Sequence, residues 1–261
     1  RRVHVSYAAT WGDAGNTRQR SELTADGATM TAIMATATRA MPWIARVGWI
    51  VIAVVGGSAV QVAVDGRSSA VVWTTAIGGW LVWGIVALAL AIASVRSLTV
   101  VRVGVPPGVI ATVAAEIGGA PAVDLLGLGV SSIVTLGAVS AAEFGRQFVQ
   151  ASAYGDEERF PLRMPVAAGT AALVSWLIWA PALVAGPLLL ARGQWIVGTP
   201  VTAIAVGGGV FLGPRWDRLS QRWFVLVPAG IVLRDPVVLA DTFPLRTRQV
   251  AHIGLATADT E

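Results

Sequence analysis

The stretch Pro165 to Ala191, PVAAGTAALVSWLIWAPALVAGPLLLA, carries no charged side chain, and Arg163 and Arg192 bracket it. A helix rises about 1.5 Å per residue, so this run reaches roughly 40 Å, more than the ~30 Å hydrocarbon layer of a bilayer. Buried helices of large soluble proteins are usually far shorter and keep a polar stripe. In lipid, every backbone N–H and C=O must be satisfied within the segment, which leaves a helix as the solution. Pro181 and Pro187 are expected to kink that helix rather than end it. A chain with one such span is expected to carry neighbours of similar character.

The rest of the composition agrees. Of 261 residues, 55% are hydrophobic and only 13% are charged, whereas a soluble domain carries about 25% charged residues. Such a chain has too little polar surface to cover itself in water. Cysteine is absent, which excludes disulfides and thiolate metal sites. The two histidines, His4 and His252, sit at opposite ends, outside the apolar blocks. All 19 basic residues are arginine. They are spread between apolar runs rather than clustered, so they act as topology signals and not as a nucleic-acid-binding surface. The implied partners are the lipid bilayer and another membrane or cytoplasmic protein, with no nucleic acid.

Taken in order, residues 1–41 are expected as a flexible N-terminal tail. Arg1 to Gly27 is polar without a sustained period, and Ala28 to Met41 suits a short interfacial helix. Arg1-Arg2 lacks the apolar stretch of a twin-arginine signal at the right distance. Span one is expected at 43–64, with Arg46 snorkelling to the headgroups and Trp43 and Trp49 at the interface. A turn at Asp65–Ser69 leads to span two, 71–94. Span three, 98–117, is the weakest. Its uncharged stretch between Arg102 and Glu116 falls short of about 17 residues, and Pro106 and Pro107 interrupt it. It is expected to be short and kinked, with a soluble strand plus helix as the alternative. Span four is expected at 123–142, span five at 165–191 and span six at 195–212. Residues 143–164 form the longest polar connection. The expected fold is therefore an all-α transmembrane helical bundle of about six spans, residues 42–213, with a short β-hairpin element at the C-terminus.

Six spans put both termini on one side. Apart from Arg46 inside span one, every arginine but Arg67 and Arg192 falls on that side. The positive-inside rule then places both termini in the cytoplasm of a cell membrane. Residues 214–261 form a β-rich tail. Arg222–Val227 and Ile231–Arg234 flank Pro228-Ala229-Gly230, which suits a hairpin, and Val237–Leu239 is expected as a third strand. Three short strands bury little by themselves. The tail is expected to pack on the membrane helices or pair with another chain, unless the chain is cut short.

Candidate chemistry is sparse. Asp156, Glu157 and Glu158, followed by Arg159, offer oxygen ligands for a hard cation, although a solvated charged loop explains them without a ligand. Ser131 and Thr135 share a helix face and suit either a polar path or, preferably, a helix seam. Trp176 and Trp179 lie near the middle of span five, where an interfacial belt does not explain them. They suit stacking on an apolar ligand or, preferably, packing. Gly207 to Gly209 lacks the Lys-Ser/Thr of a phosphate loop. No ionisable group sits near the centre of spans one, two, four, five or six, which disfavours proton- or ion-coupled transport. Neither histidine is near a nucleophile, and no HExxH or GxSxG occurs. No catalytic, cofactor-binding or metal residue is assigned and no cofactor is expected. Glu143, Asp156, Glu157 and Arg159 are the residues from which a membrane-interface enzyme would have to be built.

Two stretches carry a likeness. Ser152-Ala-Tyr-Gly-Asp-Glu-Glu-Arg-Phe-Pro-Leu-Arg163, before span five, resembles the loop of an uncharacterised family of multi-pass actinobacterial integral membrane proteins. Leu219-Ser-Gln-Arg-Trp-Phe-Val-Leu-Val-Pro-Ala-Gly-Ile-Val-Leu-Arg-Asp-Pro236 resembles that family's cytoplasmic segment. The resemblance implies a location and no activity. The C-terminal hairpin with Phe243-Pro-Leu245 and Val250-Ala-His-Ile253 is also similar to the opening strands of bacterial PH-like domains that follow membrane hairpins. The expectation is a non-enzymatic membrane scaffold or interaction protein. The alternative is an uncoupled transporter or flippase-like component for an apolar or lipidic substrate.

Overall fold

The computed structural model describes residues 16–249, with side chains from residue 40 onward. The chain divides into two compact units, residues 1–40 and 41–261. In the first, the described residues from Asn16 are helical, where a helix was expected only from Ala28 and a polar tail before it. Glu22, Leu23, Ala25, Ala28 and Met30 are good helix formers, which local propensity favours even without an apolar face. Residues 1–15 and the expected strand at Val250–Ile253 lie outside the described residues.

The second unit is a helical bundle with a small sheet. Its helices are α1 (Asn16–Val64, of which Ala40–Val64 is span length), α2 (Ser69–Ala91), α3 (Val95–Gly104), α4 (Pro107–Ile117), α5 (Ala122–Ser140), α6 (Ala142–Gln150), α7 (Val166–Ala191) and α8 (Trp195–Ser220). Among the described residues six elements are long and apolar enough to cross a bilayer, with α3 and α4 together making one span, Val95–Ile117. Their outer surfaces stay apolar: Trp73, Trp80 and Leu81 on α2 are each about 60% exposed or more. A water-soluble protein does not leave so much apolar surface open. The chain is a multi-pass membrane protein.

Span three gains its length by starting at Val95, earlier than expected. Ser94 caps it, its side-chain oxygen accepting from the Ser97 N–H, as an N-cap should. Pro106 and Pro107 break the helix because neither can donate a backbone hydrogen bond. Gly108 N–H to Val105 O, 3.0 Å, bridges the break. The strand-plus-helix alternative is not what forms. Pro181 and Pro187 lie inside α7 without ending it, and Pro200 and Pro214 do the same in α8.

Helices α1 and α2 are clasped by a reciprocal pair of indole bonds. Trp49 Nε1 donates to Trp83 O (3.0 Å) and Trp83 Nε1 to Trp49 O (2.9 Å). Trp49 is therefore buried in a helix seam, its ring turned to the neighbouring helix and not to the surroundings. Arg46 lies over the Trp43 ring and donates to Leu90 O, 3.0 Å, near the C-terminal end of α2, where the helix dipole favours a cation. Small residues bring the helices together. A Cβ at Gly186 would fall 2.8 Å from the Thr202 backbone N, so the α7 and α8 backbones approach closely here, as membrane helix pairs do.

The sheet has four antiparallel strands in the order β1 (Glu158–Pro161), β2 (Trp223–Val227), β3 (Gly230–Arg234) and β4 (Phe243–Arg246). Two differences from expectation matter. First, β1 comes from the connection before α7, so the C-terminal hairpin completes its sheet with the chain's own internal loop. Second, Val237–Leu239 is a turn and not a strand. Asp235 accepts from Val237 N–H, and the Leu239 N–H returns to Asp235 O, so the ladder resumes only at Phe243. Trp223, Val225, Val227 and Val232 face one way and join Phe144, Phe148 and Val149 of α6 in the main core. Phe144 and Phe148 stack at 4.4 Å. Phe160, Phe224, Leu226, Ile231 and Leu233 share the other face, half-buried.

Candidate functional site

A cleft of about 310 Å³ opens between α3, α7 and α8. Its floor is made by Trp179 of α7 and Trp216 of α8, whose rings meet edge to face at 5.2 Å. Both rings are fixed by their N–H groups: Trp179 donates to Ala205 O at 2.7 Å and Trp216 to Ser175 Oγ at 3.2 Å. Buried indole N–H groups need such partners. Val100 and Val103 of α3 form one wall and Gly209 and Gly213 of α8 the other. Gly208 makes the arrangement possible, since a Cβ there would come 2.8 Å from the Trp179 ring.

The rim is polar. Arg96 and Thr99 stand on the first turns of α3, and Asp217 on the last turn of α8. Asp217 is engaged on both oxygens, by the Thr99 hydroxyl at 3.2 Å and by the Gln221 amide. Arg96 is exposed and has no ion pair among the described residues. The result is an apolar trough with the Arg96 guanidinium and the Asp217 carboxylate at its mouth. Its mostly apolar lining suits binding.

The residues singled out from the sequence fall in three separate places. Ser131 and Thr135 are buried in α5 and return their hydroxyls to their own helix, Ser131 to Gly127 O and Thr135 to Ser131 O, both at 2.7 Å. Thr135 presses on Gly48 of α1, and the neighbouring Ser132 on Gly108 of α4. They occupy a packed seam. The Ser132 hydroxyl is buried there without a partner. Trp176 donates to Val103 O at 3.0 Å, tying α7 to α3, and Trp179 forms the cleft floor. Of the sequence candidates, only Trp179 lines the cleft.

The acidic loop is held as structure. Gln150 of α6 donates to Glu157 O at 2.7 Å and accepts from Arg159 N–H at 2.8 Å. Glu157 pairs with Arg159 at 2.8 Å, while Asp156 and Glu158 are exposed. Glu143 is exposed on α6, and no hydrogen bond or ion pair joins it to them. Among the described residues no group of three acidic or histidine side chains converges for a metal. Arg159 and Arg234 both lie over the Trp223 ring, at 5.6 and 5.2 Å, which turns this charge inward onto the sheet.

The most buried charges form the pin of the sheet. Arg222 meets Asp235 with two parallel bonds, Nε to Oδ1 at 2.7 Å and Nη2 to Oδ2, and Nη1 reaches Arg163 O at 2.9 Å. The Arg222 hydrogen bond is the largest of the influences that hold the Asp235 carboxyl below its ordinary value, against burial, which works to raise it.

No protein family, curated protein or solved structure matches the chain. Sequence inspection missed Arg96, Thr99, Trp216, Asp217 and Gly213 as a group. Span six was ended at Leu212 because Pro214 and Arg215 follow, whereas α8 runs on to Ser220 and carries Asp217 up to the mouth.

Proposed function

We propose that the chain is a non-enzymatic protein of the cell membrane, with both termini in the cytoplasm, that holds a small sheet at the inner face for contact with a protein partner. The observation that carries this reading is the origin of β1. A strand from the connection between spans four and five closes onto strands that follow span six, and the Arg222–Asp235–Arg163 bonds and the Phe144 and Phe148 contacts lock the sheet to the helices. A sheet fixed in this way is a presentation surface, with Phe224, Leu226, Ile231 and Leu233 on the face opposite the one that joins the core, and with the Phe160 ring under Arg146 of α6. The arginine distribution supports the cytoplasmic side. The chain lacks cysteine, so Leu226→Cys and Leu233→Cys supply unique crosslinking points on that face. A single protein species crosslinked from both positions in native membranes, at stoichiometric yield, is the expected result. Crosslinks to lipid alone sink it.

The cleft favours a second reading, an uncoupled transporter or flippase-like component for an apolar or lipidic substrate. Accelerated movement of a labelled lipid across proteoliposomes containing the purified protein, lost on filling the cleft, would select it.

A further inference from the structure

We infer that the α3–α7–α8 cleft is a binding site for one membrane phospholipid, whose acyl chain lies in the trough and whose phosphate is held by Arg96. This goes beyond the scaffold reading and stands apart from the sheet.

Dimensions are the first support. At 1.5 Å per residue, the trough covers about 12 Å along α8 from Asp217 to Gly209 and about 10 Å along α3 from Arg96 to Val103. One leaflet contributes roughly 15 Å of the ~30 Å hydrocarbon layer. The cleft therefore runs from a polar mouth, where Trp216 stands beside Asp217, to Trp179 and Gly209 at the deep end. Its volume of about 310 Å³ is at the small end of ligand pockets, roughly 300–1,000 Å³, and suits one slender chain.

Charge is the second. Asp217 accepts from the neutral Thr99 hydroxyl and Gln221 amide, so it keeps its negative charge at the mouth while both of its oxygens are occupied. Arg96 is exposed at the same mouth without an ion pair among the described residues, and a guanidinium fork matches a phosphate bidentately. The walls offer an acyl chain only apolar groups, since both indole N–H groups of the floor are already bonded inside the protein.

Gly213 is the third. A Cβ at Gly213 meets nothing within 4 Å, so this glycine serves no close helix contact and leaves the trough open. Leucine there starts from open space and adds bulk on the trough's wall.

The test is native mass spectrometry of the full-length protein, stripped of lipid in detergent and titrated with palmitoyl-oleoyl phosphatidylglycerol. Wild type is expected to take up one lipid. Arg96→Gln and Gly213→Leu are each expected to weaken it by about tenfold or more, with unchanged helicity and elution. Gly78→Leu, also in open space but on α2, is expected to bind as wild type does. Glycerol 3-phosphate, the headgroup alone, is expected not to displace the lipid. Wild-type affinity in either cleft variant overturns the proposal, as does displacement by glycerol 3-phosphate or an equal loss in Gly78→Leu.

Discussion

Replacing Asp235 with alanine tests what holds the sheet to the membrane helices. The pair it forms with Arg222 is buried, the two side chains being 8% and 7% exposed. Removing one partner leaves a guanidinium desolvated and uncompensated, which costs about 3–5 kcal/mol, whereas replacing both by apolar groups of similar volume is often near neutral. Arg222→Met with Asp235→Leu also gives up the bond to Arg163 O, worth about 1 kcal/mol. The double variant should therefore recover most of what the single one loses. Amide hydrogen exchange of the β2–β3 ladder in detergent micelles reads this directly, because local opening sets the rate. At about 1.4 kcal/mol per factor of ten, Asp235→Ala should speed exchange by roughly 10²–10⁴-fold. The pH dependence has a definite sign. The Asp235 carboxyl is held below its ordinary value of 3.8, first by the Arg222 hydrogen bond, so its stabilisation is fully present above that value and is lost as pH falls through the lower folded one. Opening energies in wild type should hold steady above about pH 5 and decline below the ordinary value, and Asp235→Leu with Arg222→Met should flatten that decline. Wild-type exchange in Asp235→Ala, or a double variant as labile as the single one, would refute the reasoning.

Threading is tested by single cysteines in the cysteine-free chain: Ser68→Cys, in the exposed turn before α2, should react with an impermeant maleimide added outside intact cells. Tyr154→Cys, 80% exposed in the connection that supplies β1, should react only after permeabilisation, and the reverse pattern would invert the topology. Gly186→Ala forces a methyl to within 2.8 Å of the Thr202 backbone and should cost about 1–3 kcal/mol of stability in micelles by overpacking. Gly137→Ala, which meets nothing, should leave the thermal midpoint unchanged or raise it slightly.

How much of this was legible in the sequence depended on the range of the interactions. The spans were legible because apolar length is a local property: the uncharged run in α7 needs no partner to be recognised. The break at Pro106-Pro107 was legible for the same reason, since it follows from missing backbone donors. The start of span three was not, because Arg96 and Arg102 look too polar for a span until a capped helix carries the first of them to the rim. The β2–β3 hairpin was visible in its β-rich runs around Pro228. Its completion by Glu158–Pro161 was not, because pairing across two intervening spans leaves no periodic trace in a four-residue strand. Trp179 was noticed for its depth. Arg96 and Asp217, far apart in the chain, gain meaning only when α3 and α8 bring them to one mouth.

Glycine separates the two kinds of helix contact. Glycine in a helix interior costs roughly 0.5–1 kcal/mol relative to alanine, and in membrane helices close approach normally offsets that cost. Gly48, Gly118 and Gly186 fit this rule: each faces a neighbouring helix so closely that no Cβ fits between, at Thr135, Ala63 and Thr202 respectively. Gly208 fits it too, by admitting the Trp179 ring. Gly213 does not, and neither do Gly57, Gly78, Gly79, Gly84, Gly137 and Gly207; of these, Gly213 is the one on the wall of the trough. Alanine there would strengthen the helix without touching a neighbour, so packing gives no reason for the glycine. Local choices that run against stability are expected where a chain binds something. An acyl chain in the trough would use the space left open beside Gly213, and Gly213→Leu is the variant that tests it.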